Sequence, residues 1–189
     1  IGDKPQYSKA NTKIKIKHLL NHTSGYGYQF INPEIKFLVD QKILQDIQAD
    51  GENFLDAPIL FEPGTRWNYG ISTDLLGYII EKLTNKKLDQ YMKENLFEQL
   101  DMSHTSFSLD ENRFNNLAYI YDYVDNNIII NKHIAKYQDD RVGRSFNSGG
   151  GGLTSTTQDY AKFMRLFLNN DNSVVSENSI NLMKSNQIG

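Results

Sequence analysis

Phe61-Glu62-Pro63-Gly64-Thr65-Arg66-Trp67-Asn68-Tyr69-Gly70-Ile71-Ser72 is the stretch whose reading decides the fold of this chain. Pro63-Gly64 is strong turn punctuation, and the polar, aromatic-rich run that follows carries no sustained period. From Thr73 the pattern changes: Leu75, Leu76, Ile79, Ile80 and Leu83 recur at the spacing of one helical face. The register predicts a loop over residues 61–68 and a helix from Ser72 or Thr73 to Thr84, with Asn85 suited to a left-handed exit. Tyr69 is thereby delivered to a helix entrance, a placement that holds a phenol in one position.

Outward from this stretch the chain reads as mostly α. Upstream, residues 1–13 are polar and irregular. Ile16, Leu19 and Leu20 mark a short helix stopped by Gly25. Asn32-Pro33 is an N-cap followed by proline at the first helical position, opening a helix to about Leu44, and residues 52–57 allow one further turn. Downstream, a helix over residues 89–100 turns Tyr91, Met92 and Leu96 inward. Residues 103–137 change period: Tyr119-Ile120-Tyr121-Asp122-Tyr123-Val124, then Asp125-Asn126-Asn127, then Ile128-Ile129-Ile130 predict a β-hairpin flap. Thr156-x-x-Asp159 starts a helix to Leu168 that carries Phe163, Leu166 and Phe167. Ser176 caps a last helix with Ile180, Leu182 and Met183.

Three further blocks flank the opening stretch in a fixed order. They are Lys15-Ile16-Lys17-His18-Leu19-Leu20, then His22-Thr23-Ser24-Gly25, and, downstream, Ser148-Gly149-Gly150-Gly151-Gly152-Leu153 with Ser155-Thr156-Thr157-Gln158-Asp159-Tyr160. Together they resemble the serine β-lactamase-like hydrolases, which include class C β-lactamases, D-alanyl-D-alanine carboxypeptidases and related esterases. The resemblance runs from about Ile14 to Ile188. It implies an α/β sandwich plus helical domain, of which residues 1–189 form the central, helical-lobe segment as a single domain. It also implies acyl-enzyme chemistry on an ester, a β-lactam or a D-Ala peptide, with no cofactor and an extracytoplasmic setting. No serine in the sequence is followed by lysine three residues on, and no Lys-Thr-Gly or His-x-Gly triplet occurs. The family's nucleophile motif and closing strand are therefore expected outside this segment, which is expected to be inactive by itself.

By the same resemblance Tyr69 matches the tyrosine of the family's second motif, which exchanges a proton with the nucleophile and leaving group. Ile71 is a candidate substrate-binding residue, standing where many class C enzymes and peptidases carry an amide-binding asparagine, with simple packing against the helix start as the plainer alternative; Tyr69-Gly70-Ile71-Ser72-Thr73-Asp74 thereby resembles the esterase branch. Gly149 and Gly150 are expected to form a wall of the substrate cleft, with flexible linker as the plainer alternative. Tyr26 and Tyr28, with Phe30, follow a turn and are candidates for lining an acyl or leaving-group pocket, against ordinary core packing.

Composition narrows the alternatives. There is no cysteine, which excludes disulfides and thiolate chemistry. Net charge is −3 with both signs interspersed, so no basic stripe points to nucleic acid. No apolar run approaches the ~18 residues of a membrane span, and no signal peptide stands at Ile1. His18 and His22 stand at i, i+4, as in zinc-protease helices, but no glutamate separates them and no third ligand is legible. A structural role bonding nearby backbone is expected for both, and metal binding is not. His104 and His133 read as isolated. The expected partner is a small-molecule ester, a β-lactam or a peptidoglycan-like substrate. The rival from another class is a non-catalytic binding module that recognises peptidoglycan or a protein.

Overall fold

The computed structural model describes residues 5–45, 53–131, 147–169 and 173–188. His133 and residues 132–137 of the predicted flap lie outside them, as does Glu52. The chain divides into two compact units, Ile1–Ile79 with Asn186–Gly189, and Ile80–Ser185.

In the first unit, helix α1 (Ile16–Leu20) is short because Asn21 ends it and His22 turns left-handed at φ 56°. The stop comes before Gly25, contrary to the sequence expectation, since the turn is made by a histidine in a conformation usually left to glycine. Helix α2 (Pro33–Asp40) opens with proline at its first position and ends sooner than Leu44. Asn32 precedes it without capping it, because its side-chain oxygen accepts from the Tyr28 N–H instead (3.0 Å). A 3₁₀ turn follows at Asn53–Asp56. Leu19, Tyr28, Ile35, Leu38, Leu44, Ala57, Ile71 and Leu75 are the buried apolar residues. Each large aliphatic sealed from water contributes roughly 1.5–3 kcal/mol.

Helix α3 (Ser72–Thr84) holds the predicted bounds, and Asn85 takes the left-handed exit at φ 53°. Its apolar stripe is another matter. Leu75 is buried but Leu83 is 82% exposed. Periodicity states which side of a helix is apolar, not whether another element packs on it.

In the second unit, the Leu88 N–H donates to Glu81 Oε1 (2.7 Å) and starts α4 (Leu88–Met92). A π-helical turn, Lys93–Phe97, continues it. The wider turn shifts the inward face by about one residue. At its end Phe97 is buried in place of the expected Leu96, which is half-buried; ahead of it Leu88 is buried, while Tyr91 and Met92, expected inward, are half-buried. Asp110 caps α5 (Glu111–Asn115) by accepting from the Arg113 N–H (2.8 Å).

The hairpin forms as predicted, β1 (Tyr121–Val124) against β2 (Asn127–Ile130), with Tyr121 opposite Ile130 and Val124 opposite Asn127. Asp125 and Asn126 both take positive φ (48° and 61°), the two-residue turn that matches strand twist. Every residue of both strands is exposed.

Thr156 caps α6 (Thr157–Leu168) by accepting from the Asp159 N–H (3.2 Å). Asp159, 2% exposed, accepts in turn from the His104 N–H (2.7 Å) and the Thr105 hydroxyl (3.1 Å). Ser176 caps α7 (Glu177–Lys184), in which Ile180 is buried while Leu182 and Met183 are exposed. Among the described residues no helix is long and apolar enough to cross a membrane.

Candidate active site

Three pieces of the first unit are laced together around Tyr69: the exit of α1, the loop over residues 60–70 and the entrance of α3. The lacing is main-chain. The Gly64 N–H donates to Thr23 O (2.7 Å), the Asn68 N–H to His22 O (2.9 Å) and the Leu60 N–H to Gly25 O (2.8 Å). The carboxylate of Glu62 accepts from the Asn11 and Thr12 N–H groups (2.9 Å each), which holds it below the usual carboxylate range and ties the N-terminal arm to the loop.

Side chains lock the same pieces. The hydroxyls of Ser24 and Ser72, both fully buried, bond at 2.8 Å. Asn68 and Asn32 exchange amide hydrogen bonds (3.0 and 3.3 Å), and Asn68 Nδ2 also donates to Tyr26 O (2.8 Å). Gly70 lets the loop pass against residues 26–27: a Cβ there would stand 2.4 Å from Tyr26 O and 2.7 Å from Gly27 Cα. Residues 68 and 70 are thus fixed on either side of Tyr69.

Tyr69 itself remains 38% exposed, and its hydroxyl has no hydrogen-bond partner among the described residues. Its ring lies 5.0 Å from that of His22 and 5.3 Å from that of Tyr28. Beyond them the succession of rings continues, from His22 to Trp67 at 6.3 Å and from Tyr28 to a stacked Phe30 at 4.7 Å. A phenol with a fixed backbone, packed flanks and an open tip can donate or accept a proton without first reorganising.

The flanking groups are uncharged at neutral pH. Burial pushes the His22 imidazole below its ordinary value, and it pushes the phenols of Tyr26 and Tyr28 up. Tyr28 is raised further by Asp74, whose Oδ2 accepts its O–H at 2.8 Å. Both partners of that bond are buried.

Of the residues singled out from sequence, Tyr26, Tyr28 and Ile71 come together with Tyr69 in the first unit. Tyr28 is 8% exposed and fixes the flank of Tyr69; Tyr26 is half-buried and supplies the carbonyl that holds Asn68. Ile71 is 0% exposed. The chain enters α3 with this side chain buried, which agrees with packing at the helix start. Gly149 and Gly150 belong to the second unit, where both are exposed and the Gly150 N–H donates to Ser148 Oγ (3.1 Å).

The two histidines differ. His18 Nδ1 accepts from the Lys15 N–H (3.3 Å) and its ring lies over Gly64, so it does bond nearby backbone. Burial, then Lys17 and Lys15, lower its pKa. His22 does not: its Nδ1 is buried without a partner. Among the described residues no cluster of histidine, aspartate and glutamate could hold a metal ion. Sequence reasoning passed over Ser24, Asn68 and Asp74, which hold the site together. Their only signal was position, since each is a polar residue beside a turn or in a helix's first turn.

This fold fragment and its tyrosine-bearing helix entrance define a class, and the chain belongs to it: the beta-lactamase family, whose model matches residues 5–188. Within that family the chain is similar to the acyltransferase mokF of Monascus pilosus, at 30% identity over 95% of this chain and 44% of that protein. It is also 27% identical to a lovastatin esterase of Penicillium rubens, over 93% of this chain and 45% of the esterase. Among solved structures, simvastatin synthase (LovD) from Aspergillus terreus superposes with a TM-score of 0.83 at 26% identity, covering 96% of this chain and 45% of that one. The chain therefore spans less than half the length of each of these three relatives.

Proposed function

We propose that residues 1–189 are the central segment of an acyl-transferring serine hydrolase, both compact units belonging to one larger domain, with ester substrates favoured and Tyr69 as its proton-transfer group. The observation that carries this reading is the setting of Tyr69: backbone pinned on both sides, flanks packed, tip open, at the entrance of α3. Similarity to an acyltransferase and to an esterase supports acyl transfer over passive binding.

The chemistry this reading requires is compact. A serine hydroxyl gives its proton to the phenolate form of Tyr69 and its oxygen bonds to the substrate carbonyl carbon. The tyrosine returns that proton to the departing alkoxide as the ester bond breaks. Water or a second alcohol then repeats the exchange in reverse and frees the acyl group. A free phenol titrates near ~10, so a neighbouring cation must favour phenolate; the family's Ser-x-x-Lys lysine is expected to supply it. Backbone N–H groups beside the serine would hold the oxyanion.

The test is Tyr69→Phe in the whole enzyme, assayed on p-nitrophenyl butyrate. Removing one hydroxyl should lower kcat by about 10²- to 10⁴-fold, the usual contribution of general acid–base catalysis, with the fold intact. Wild-type turnover in that variant would make Tyr69 a packing residue and end the proposal.

A further inference from the structure

We propose that His22 is the positioning residue for Tyr69, acting through the shape of its ring and not through proton transfer; this rests on the reading of Tyr69 given above. The backbone supplies the first observation. His22 sits at φ 56°, a left-handed conformation uncommon outside glycine, though histidine adopts it more readily than most residues. Such conformations persist where the surroundings over-determine them, and they gather at functional sites.

Here the surroundings are hydrogen bonds. The Thr23 N–H donates to His18 O (2.9 Å), the Gly64 N–H to Thr23 O (2.7 Å) and the Asn68 N–H to His22 O (2.9 Å). The last joins His22 directly to the residue before Tyr69. The outcome of the turn is a ring contact: the imidazole lies 5.0 Å from the Tyr69 ring at 49°, with Trp67 at 6.3 Å beyond it. Tyr28, held by Asp74, supplies the second contact at 5.3 Å.

The nitrogens supply the second observation. Nδ1 is sealed from solvent and bonded to nothing, and His22 makes no side-chain hydrogen bond among the described residues. An imidazole that relays protons needs a group within hydrogen-bond reach of its nitrogens. At the sealed Nδ1 there is none among the described residues, so what this side of the imidazole offers Tyr69 is a flat face that limits rotation of the phenol. Since misplacing a reacting group by about 1 Å can cost on the order of 10²-fold in rate, such a wall is a determinant of turnover.

The test pairs two variants. His22→Asn keeps a residue tolerant of the left-handed backbone and removes the ring. His22→Phe keeps a ring and removes both nitrogens. In the whole enzyme, His22→Asn should lower kcat by roughly tenfold or more, with KM little changed. His22→Phe should restore most of that loss and leave the pH dependence of kcat/KM unmoved. Equal losses in both variants, or wild-type kcat in His22→Asn, would overturn the assignment.

A second measurement, on the whole enzyme with ¹³C-labelled tyrosine, covers the case in which Phe is too strained to fold at this position. His22→Asn should shift the Tyr69 ring resonances, assigned through Tyr69→Phe, more than those of any tyrosine outside this ring cluster. Unmoved Tyr69 resonances would overturn it. Full activity of Tyr69→Phe would instead refute the role of Tyr69, while the resonance shift would still report the contact.

Discussion

Ile71→Asn separates the surface role expected of position 71 from the core role the structure assigns. If residue 71 faced a substrate, an asparagine there would restore an amide-binding group and leave the fold intact. Ile71 is 0% exposed, and its carbonyl accepts from the Leu75 N–H (3.0 Å) in the first turn of α3. The substitution removes a buried aliphatic side chain worth about 1.5–3 kcal/mol. It also installs an amide in an apolar site, where an unmet donor or acceptor costs about 1–3 kcal/mol. The sum is roughly 2.5–6 kcal/mol, a large share of an ordinary domain's 5–15.

Ile71→Val calibrates the measurement. It removes one methylene from the same place and should cost only about 0.5–1.5 kcal/mol. Urea and thermal unfolding of chain 1–189, followed by circular dichroism, reads both. The Ile71→Asn midpoint should fall by about 5–24 °C, at 2–4 °C per kcal/mol. An Ile71→Asn chain within about 0.5 kcal/mol of Ile71→Val would show that the side chain reaches solvent or a partner, and would return position 71 to the substrate surface.

Gly70→Ala should destabilise by about 1–3 kcal/mol and displace Tyr69, because the new Cβ meets backbone at 2.4 Å; an unchanged melting midpoint would contradict that approach. Stability should fall with pH in two windows. His18 and His22 have pKa values lowered by burial, so the folded state resists their protonation and stability is lost as pH drops below their ordinary 6.5. Glu62 and Glu94 have lowered pKa values, so a further loss follows below about 4.5; a flat denaturation profile from pH 8 to 5 would refute the histidine part. Zinc should bind no tighter than micromolar by calorimetry, because a site needs three or four ligands, His18 Nδ1 is already engaged and His22 Nδ1 is sealed. A sub-micromolar complex abolished by His22→Ala would overturn this.

The sequence by itself determined what short-range chemistry controls. The Pro63-Gly64 turn, the bounds of α3, the Asp125-Asn126 hairpin turn and the caps at Thr156 and Ser176 follow from dihedral preferences and hydrogen-bonding reach, which neighbouring residues supply. The family followed from ordered motifs, with Tyr69 as its marked residue. Tertiary structure decided what depends on partners distant in the chain. Leu75 and Leu83 carry the same side chain on one helix, yet one is buried and the other 82% exposed, because burial is a property of what packs against a face. His18 and His22 stand four residues apart, yet the Nδ1 of one accepts from backbone and the Nδ1 of the other has no partner, because a left-handed turn swings the second toward a loop over forty residues away. The Ser24–Ser72 and Tyr28–Asp74 bonds that steady the site join residues 48 and 46 positions apart. No local pattern encodes such pairs; they exist only once the chain has closed on itself.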